Sequence, residues 1–130
     1  MNLGIVGSRT FNDKNKAYLV LDEVSKMIGH IDLIVSGGDY GADKIGELYA
    51  ESKNIRTLIF LPDWAKYGKM AGFIRNSEIV DNSDVILGFW DSKSHGTKDS
   101  LLKAKKLNKT IYIFDFIHSV LYYKNGRKII

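Results

Sequence analysis

With 130 residues, 45% of them hydrophobic and 26% charged, the chain suits one soluble globular domain with a sizeable core and leaves little room for a second. The lack of cysteine excludes a disulfide framework and thiolate metal sites, and the three histidines (His30, His95, His118) are scattered without ligand spacing. The net charge of +4, from 19 Lys and Arg against 15 Asp and Glu, reads as solubilising surface charge rather than as a nucleic-acid footprint.

No stretch approaches the ~18 apolar residues of a membrane span. Met1 runs directly into Asn2-Leu3-Gly4-Ile5-Val6 with no basic leader segment. A cytoplasmic protein without membrane contact is the expectation.

In chain order, residues 3–6 read as a short strand. Residues 14–28 carry Tyr18, Leu21, Val24 and Ile28 at helical spacing, with Gly29 as the stop. Residues 32–36 form a second strand. Residues 42–53 form a helix that turns Ile45, Leu48 and Tyr49 inward and is closed by Asn54. A third strand over 57–61 ends at Pro62, the single proline. Residues 64–69 read as loop and 71–80 as a helix. A fourth strand spans 84–90. The helix at 97–107 sets Lys103, Lys105 and Lys106 on its solvated face, with Lys109 just beyond it in the same lysine cluster, and a fifth strand spans 110–114.

This alternation predicts a Rossmann-like open α/β fold of about five parallel strands with helices on both faces. The apolar runs LIVS, LIFL, VILGFW and IYIF fit strands buried on both sides. The tail breaks the pattern. Leu121-Tyr122-Tyr123-Lys124 and Arg127-Lys128-Ile129-Ile130 flank Asn125-Gly126, which predicts a terminal hairpin, either an edge addition or an oligomer contact. Residues 1–115 then form a ligand-binding domain, with 116–130 an extension of it.

In open α/β sheets, ligands bind beyond the carboxyl ends of the strands. Those positions hold Gly7-Ser8-Arg9-Thr10, then SGGDYGAD at 36–43, Pro62-Asp63-Trp64, Trp90-Asp91, and Ser94-His95-Gly96-Thr97. Gly37, Gly38 and Gly41 precede one helix and Gly96-Thr97 another, places where free N–H groups and the positive dipole end suit a phosphate. Ser36 and Thr97 add hydroxyls, and Asp39 and Asp43 stand within reach. Strand-to-helix turns also use glycine for geometric reasons alone. Neither loop is G-x-G-x-x-G or a Walker loop, so no dinucleotide or other cofactor is expected.

Arg9 and Arg75 are the candidate phosphate cations, since a planar guanidinium binds an anion through two N–H groups at once. Trp64, Tyr67 and Trp90 either stack on a base or serve in packing. Glu47, Asp91 and Asp99 complete the nearby carboxylates. His95 stands alone, with no Ser-His-Asp order around it.

Taken together, GSRTFND, SGGDYGADKIGELYAE, PDWAKYGKMAGFIRNSEIVDNSDVILGFWD and SHGTKDSLLKAKKLNK resemble the SLOG superfamily, in its small YspA/YpsA-related branch. The superfamily groups DprA/Smf-like and LOG-like Rossmannoid domains. LOG enzymes are phosphoribohydrolases, with an arginine-bearing helix followed by PGGxGTxEE. By that resemblance Arg75 matches the arginine and Gly96-Thr97 the GT. Asp99 replaces the first glutamate and Ser100 the second. The resemblance therefore implies a kept phosphate cradle and a reduced acidic pair.

The expectation that follows is a binder of a nucleotide-derived small molecule, a nucleoside monophosphate or ADP-ribose-like signal, acting as sensor or sequestering protein. The alternative is a LOG-like hydrolase, with Arg75 orienting the phosphoribosyl group and Asp99 stabilising the developing positive charge. A homo-oligomer is expected from superfamily habit and the terminal hairpin. Single-stranded DNA binding ranks third, because the charge is mild and no basic-aromatic stripe stands out.

Overall fold

Side chains alternate across each inner strand between two separate apolar cores, as the two-residue period of a strand dictates. On one side Leu3, Ile5, Ile34, Leu87 and Phe89 pack with Ala17, Val20, Leu21, Val24, Ile45, Tyr49 and Ala50. On the other, Val6, Val35, Ile86 and Ile111 pack with Ile79, Val80, Leu101 and Ala104. A sheet with a core on each face is the result.

The computed structural model describes residues 1–123, 128 and 129. Its strands are β1 (Asn2–Gly7), β2 (Leu33–Ser36), β3 (Arg56–Ile59), β4 (Val85–Trp90), β5 (Thr110–Asp115) and β6 (Val120–Tyr123). Its helices are α1 (Lys14–Ile28), α2 (Ala42–Ser52), α3 (Trp64–Tyr67), α4 (Ala71–Asp81) and α5 (His95–Lys106), with a 3₁₀ turn at Gly68–Met70. The strand order is β3-β2-β1-β4-β5-β6. The pairings from β3 through β5 are parallel, and β6 runs antiparallel to β5. Helices α1 and α2 supply the first core, α4 and α5 the second.

The expected α/β architecture stands, with several local differences. Residues 64–70 are helical rather than loop, because the Asp63 side chain accepts from Lys66 N at 3.0 Å and caps a first turn. The run LIFL contributes to β3, an edge strand that is largely exposed rather than buried on both faces. Leu48 is exposed, with Ile45 and Tyr49 alone of that trio facing the core. Helix α5 starts at His95 after Ser94, so Gly96 and Thr97 lie in its first turn instead of before it.

The tail folds back twice. Between β5 and β6 the Asp115 carboxylate accepts from Ile117 N and His118 N, and its other oxygen meets His118 Nδ1 at 2.8 Å. Tyr122 then bridges Lys128, and Ile129 N donates to the Leu121 carbonyl at 2.7 Å. The hairpin turn expected at Asn125-Gly126 lies outside the described residues.

Strand order reverses between β1 and β4, the two central strands. The crevice beyond their carboxyl ends is where this topology places a ligand.

Candidate functional site

The ends of β1 and β4 are tied to each other. Ser8 N donates to the Phe89 carbonyl at 3.0 Å, and Ser8 Oγ meets Ser94 Oγ at 2.7 Å. Asp91 Oδ1 accepts from Lys93 N, Ser94 N and Ser94 Oγ at 2.8–3.0 Å, and so folds the turn that delivers the chain into α5. Burial works to raise the Asp91 pKa, but these bonds outweigh it and hold the carboxyl below its ordinary value. Trp90 Nε1 closes the same turn onto the Ser94 carbonyl at 3.1 Å.

The loop between β2 and α2 is shaped by its neighbours. A Cβ on Gly37 would stand 2.5 Å from Arg75 Nη1 and 2.9 Å from Asp43 Oδ2. Gly41 combines a φ of 77° with a position where a Cβ would run into the Ser8 and Arg9 carbonyls. Ser36 is fully buried, donating to Glu47 Oε2 at 3.2 Å and accepting from Gly38 N at 3.3 Å. These glycines let Arg75 and the β1 loop approach the backbone closely.

Arg75 organises the centre. Its Nη1 donates to the Gly37 carbonyl at 2.8 Å, its Nε to Asn76 Oδ1 at 3.1 Å, and its Nη2 to Asp39 Oδ2 at 3.2 Å. Only 10% of its side chain is exposed, against 69% for Arg9, whose Nε lies 3.8 Å from the same Asp39 oxygen. Asn76 Nδ2 reaches on to the Gly96 carbonyl at 3.3 Å and Asp99 Oδ2 at 3.1 Å. A continuous polar chain thus runs from the β2 loop through α4 to α5.

These groups surround an open cleft of about 420 Å³. Of the expected site residues, Gly7, Ser8, Arg9, Asp39, Asp43, Trp64, Arg75, Gly96 and Thr97 line it. Ser36, Gly37, Gly38 and Gly41 support the loop and do not line the cleft, and Trp90 is likewise outside the lining. Asp99 is also absent from the lining, its Oδ2 taken by Lys103 Nζ at 2.7 Å and by Asn76. A carboxylate held in that way on the α4–α5 seam is out of place for stabilising a sugar cation in the cleft.

Lys69, Phe73 and Asn76 line the cleft without having been singled out in the sequence. For α4 the signal was present. Gly72, Arg75, Asn76 and Ile79 recur at three- and four-residue spacing, so once Arg75 faces a ligand its helical neighbours share that face. Lys69 depends on the turn at Gly68–Met70, which the pattern did not show, whereas Phe73 lies on α4, three residues before Asn76.

Asp43 is the most perturbed carboxyl of the site. Its pKa is raised to about 7, chiefly by burial, with the Asp39 and Glu47 carboxylates adding to the rise; Asp39 N–H and Arg75 oppose it. At the rim, Trp64 and Phe73 are 56% and 44% exposed, and Lys103 Nζ sits 5.6 Å from the Phe73 ring centre.

A mostly parallel sheet in this order, with a cleft at the β1/β4 reversal, defines a Rossmann-like α/β protein whose cleft lies at the topological switch point. Within that class the chain belongs to the YspA, cpYpsA-related SLOG family, whose model matches residues 2–67. It is 32% identical over 108 residues to the Gene 61 protein of Mycobacterium phage D29, covering 78% of this chain and 86% of that protein. In fold it is similar to DNA processing protein A (DprA) of Streptococcus pneumoniae, with a TM-score of 0.69 and 14% identity over 86% of this chain and 49% of that one. DprA of Helicobacter pylori, solved for insight into its single-stranded DNA binding mode, gives a TM-score of 0.64 and 21% identity over 87% of this chain and 64% of that one. The chain spans about half of the first structure and just under two thirds of the second.

These relatives correct two expectations. Nucleic acid was set aside as a partner, whereas the structural neighbours are DNA processing proteins, one described for binding single strands. The sensor, sequestering and hydrolase readings built on a small nucleotide ligand draw no support from them, nor does the homo-oligomer. The weight placed on net charge explains the first error: +4 over the whole chain says little about one cleft. No helix among the described residues is long and apolar enough to cross a membrane.

Proposed function

We propose that this chain binds single-stranded DNA, with the strand's phosphates in the β1/β4 cleft and its bases on the aromatic rim. The observation that carries the reading is Arg75: a nearly buried guanidinium, already oriented by Gly37 and Asn76, in a cleft whose rim exposes the Trp64 and Phe73 rings. Arg9 and Lys69 add two more cations to the same lining. Phosphate contacts supply the sequence-independent part of such binding, and each base stacked on an aromatic side chain adds roughly 1–3 kcal/mol. A duplex keeps its bases stacked on one another and offers no free ring face, so this arrangement favours a single strand.

The likeness in fold to the two DprA proteins supports the reading. Fluorescence anisotropy with a labelled oligothymidylate and a duplex of equal length tests it. The single strand is expected to bind more tightly, with affinity falling as salt rises. No binding of the single strand, or equal affinity for the duplex, would overturn the proposal.

A further inference from the structure

Three cations line the cleft, Arg9, Lys69 and Arg75, and so do three carboxylates, Asp39, Asp43 and Asp91. A polyanion has to enter a site whose own acids match its bases in number. The three acids are not equivalent. Asp91 Oδ1 is committed to the turn at Lys93 and Ser94. Asp43 is buried behind Asp39, accepting from Asp39 N at 3.2 Å. Asp39 alone lies on the cations themselves, with Oδ2 3.2 Å from Arg75 Nη2 and 3.8 Å from Arg9 Nε.

That oxygen stands where a phosphate oxygen would be drawn: between two guanidinium groups, at the open side of the cleft. Arg75 does not need Asp39 to hold its orientation, because Nη1 and Nε are bonded to Gly37 and Asn76. The Asp39 side chain is 30% exposed, so its carboxylate can leave the seat by rotation about its own side-chain torsions. The backbone beneath it stays in place, with Gly38 N bonded to Ser36 Oγ and Asp39 N to Asp43 Oδ2.

We propose that Asp39 is a built-in phosphate surrogate, occupying in the free protein the seat that a strand phosphate takes between Arg75 and Arg9, so that binding requires its displacement. The proposal rests on the strand-binding reading for the identity of the ligand, while the seat itself is a property of any phosphate. Its consequence is discrimination. A single weak anion gains too little to evict a carboxylate already bonded to Arg75, whereas a strand anchored at several points along its backbone and bases can do so. Asp39 is then a specificity-determining residue.

The test compares the wild type, Asp39→Asn and Asp39→Glu with two probes, a labelled oligothymidylate by anisotropy and inorganic pyrophosphate by the shift in melting temperature. Asparagine keeps the shape and an acceptor for Arg75 while removing the competing charge. Oligothymidylate binding by Asp39→Asn is expected to tighten by about tenfold, the scale of a hydrogen bond to a charged group. Its pyrophosphate-induced melting shift is expected to exceed that of the wild type. Asp39→Glu retains the competitor and is expected to show neither gain, which separates loss of charge from general loosening of the loop.

Should Asp39→Asn fold poorly, Asp39→Ser provides the same removal of charge in a turn-forming residue. Unchanged or weaker binding of both probes by the neutral variants would overturn the seat. Oligothymidylate bound equally by wild type and neutral variants would leave strand binding standing and the seat refuted. A larger pyrophosphate shift in Asp39→Asn, with no oligothymidylate bound by any variant, would uphold the seat and refute the strand.

Discussion

Arg75 and Gly37, 38 residues apart in the chain, meet through a 2.8 Å hydrogen bond from Nη1 to the glycine carbonyl. The contact pins the loop after β2 to α4 and gives Gly37 its reason. A side chain at that position would take the space the guanidinium occupies. A glycine that looks like part of a phosphate loop therefore makes room for the cation at the centre of the cleft.

Gly37→Ala is accordingly expected to lower stability by about 1–3 kcal/mol through overpacking against Arg75 and Asp43. Oligothymidylate affinity should fall further than the stability loss explains, because the guanidinium is pushed from its seat. Thermal melting and anisotropy on the same sample separate the two effects.

Asn76 is a positioning residue. It accepts from Arg75 Nε and donates to the Gly96 carbonyl and Asp99, linking the cation to α5. Asn76→Ala leaves a buried guanidinium N–H without its partner, a loss of roughly 1–3 kcal/mol. Weaker strand binding is expected, together with a shallower salt dependence as the Arg75 phosphate contact is lost. A salt titration that parallels the wild type would show that Asn76 does not orient Arg75.

Much of this was legible in the sequence, for reasons that differ from residue to residue. The limits of α1 follow from Asp13, whose side chain accepts from Lys16 N at 3.0 Å, and from Gly29 beyond the last turn, both local signals. The inner strands follow from near-continuous apolar runs, and the rim loops follow from where those strands end. Leu48 and β3 misled because the pattern tells apolar from polar but not centre from edge: a strand at the sheet margin keeps its apolar residues in water. Asp99 matched a family position, yet whether its side chain enters the cleft depends on Lys103 and Asn76, one turn along α5 and on another helix. The Lys103 pair has the i,i+4 spacing of a helix face, but the Asn76 contact is tertiary and leaves no periodic trace.

The aromatic rim makes a separate prediction. Trp64 and Phe73 are well exposed, so replacing either with alanine is expected to shift the melting temperature little. Each replacement should weaken oligothymidylate binding by about 1–3 kcal/mol if a base stacks on that ring. Equal affinity in the double variant Trp64→Ala/Phe73→Ala would remove the rim from the site and leave a phosphate-only contact.

Asp43 sets the pH response. Its carboxyl is raised to about 7 in the folded chain, by burial first, from the ordinary aspartate value of about 4. The groups facing it are Asp39 and Glu47, which raise the pKa, and Arg75, which lowers it; Lys44 Nζ partly balances Glu47 at 3.4 Å. Between about pH 4 and 7 the folded state holds a proton on Asp43 that the unfolded state has released, so stability falls as pH rises through that window. The stabilisation is complete below the unfolded pKa and gone above the folded one, a total of a few kcal/mol. Asp91 and Asp115, both held below the ordinary value, act in the opposite sense, and their contribution is lost only as pH drops below about 4. Chemical denaturation of the wild type and of Asp43→Asn across pH 5 to 8 therefore reads Asp43 as the difference between the two profiles. Asp43→Asn retains an oxygen to accept from Asp39 N and is expected to flatten the profile, exceeding the wild type in stability at pH 8. A wild-type profile that is flat or rises across this range would show that Asp43 is ionised throughout.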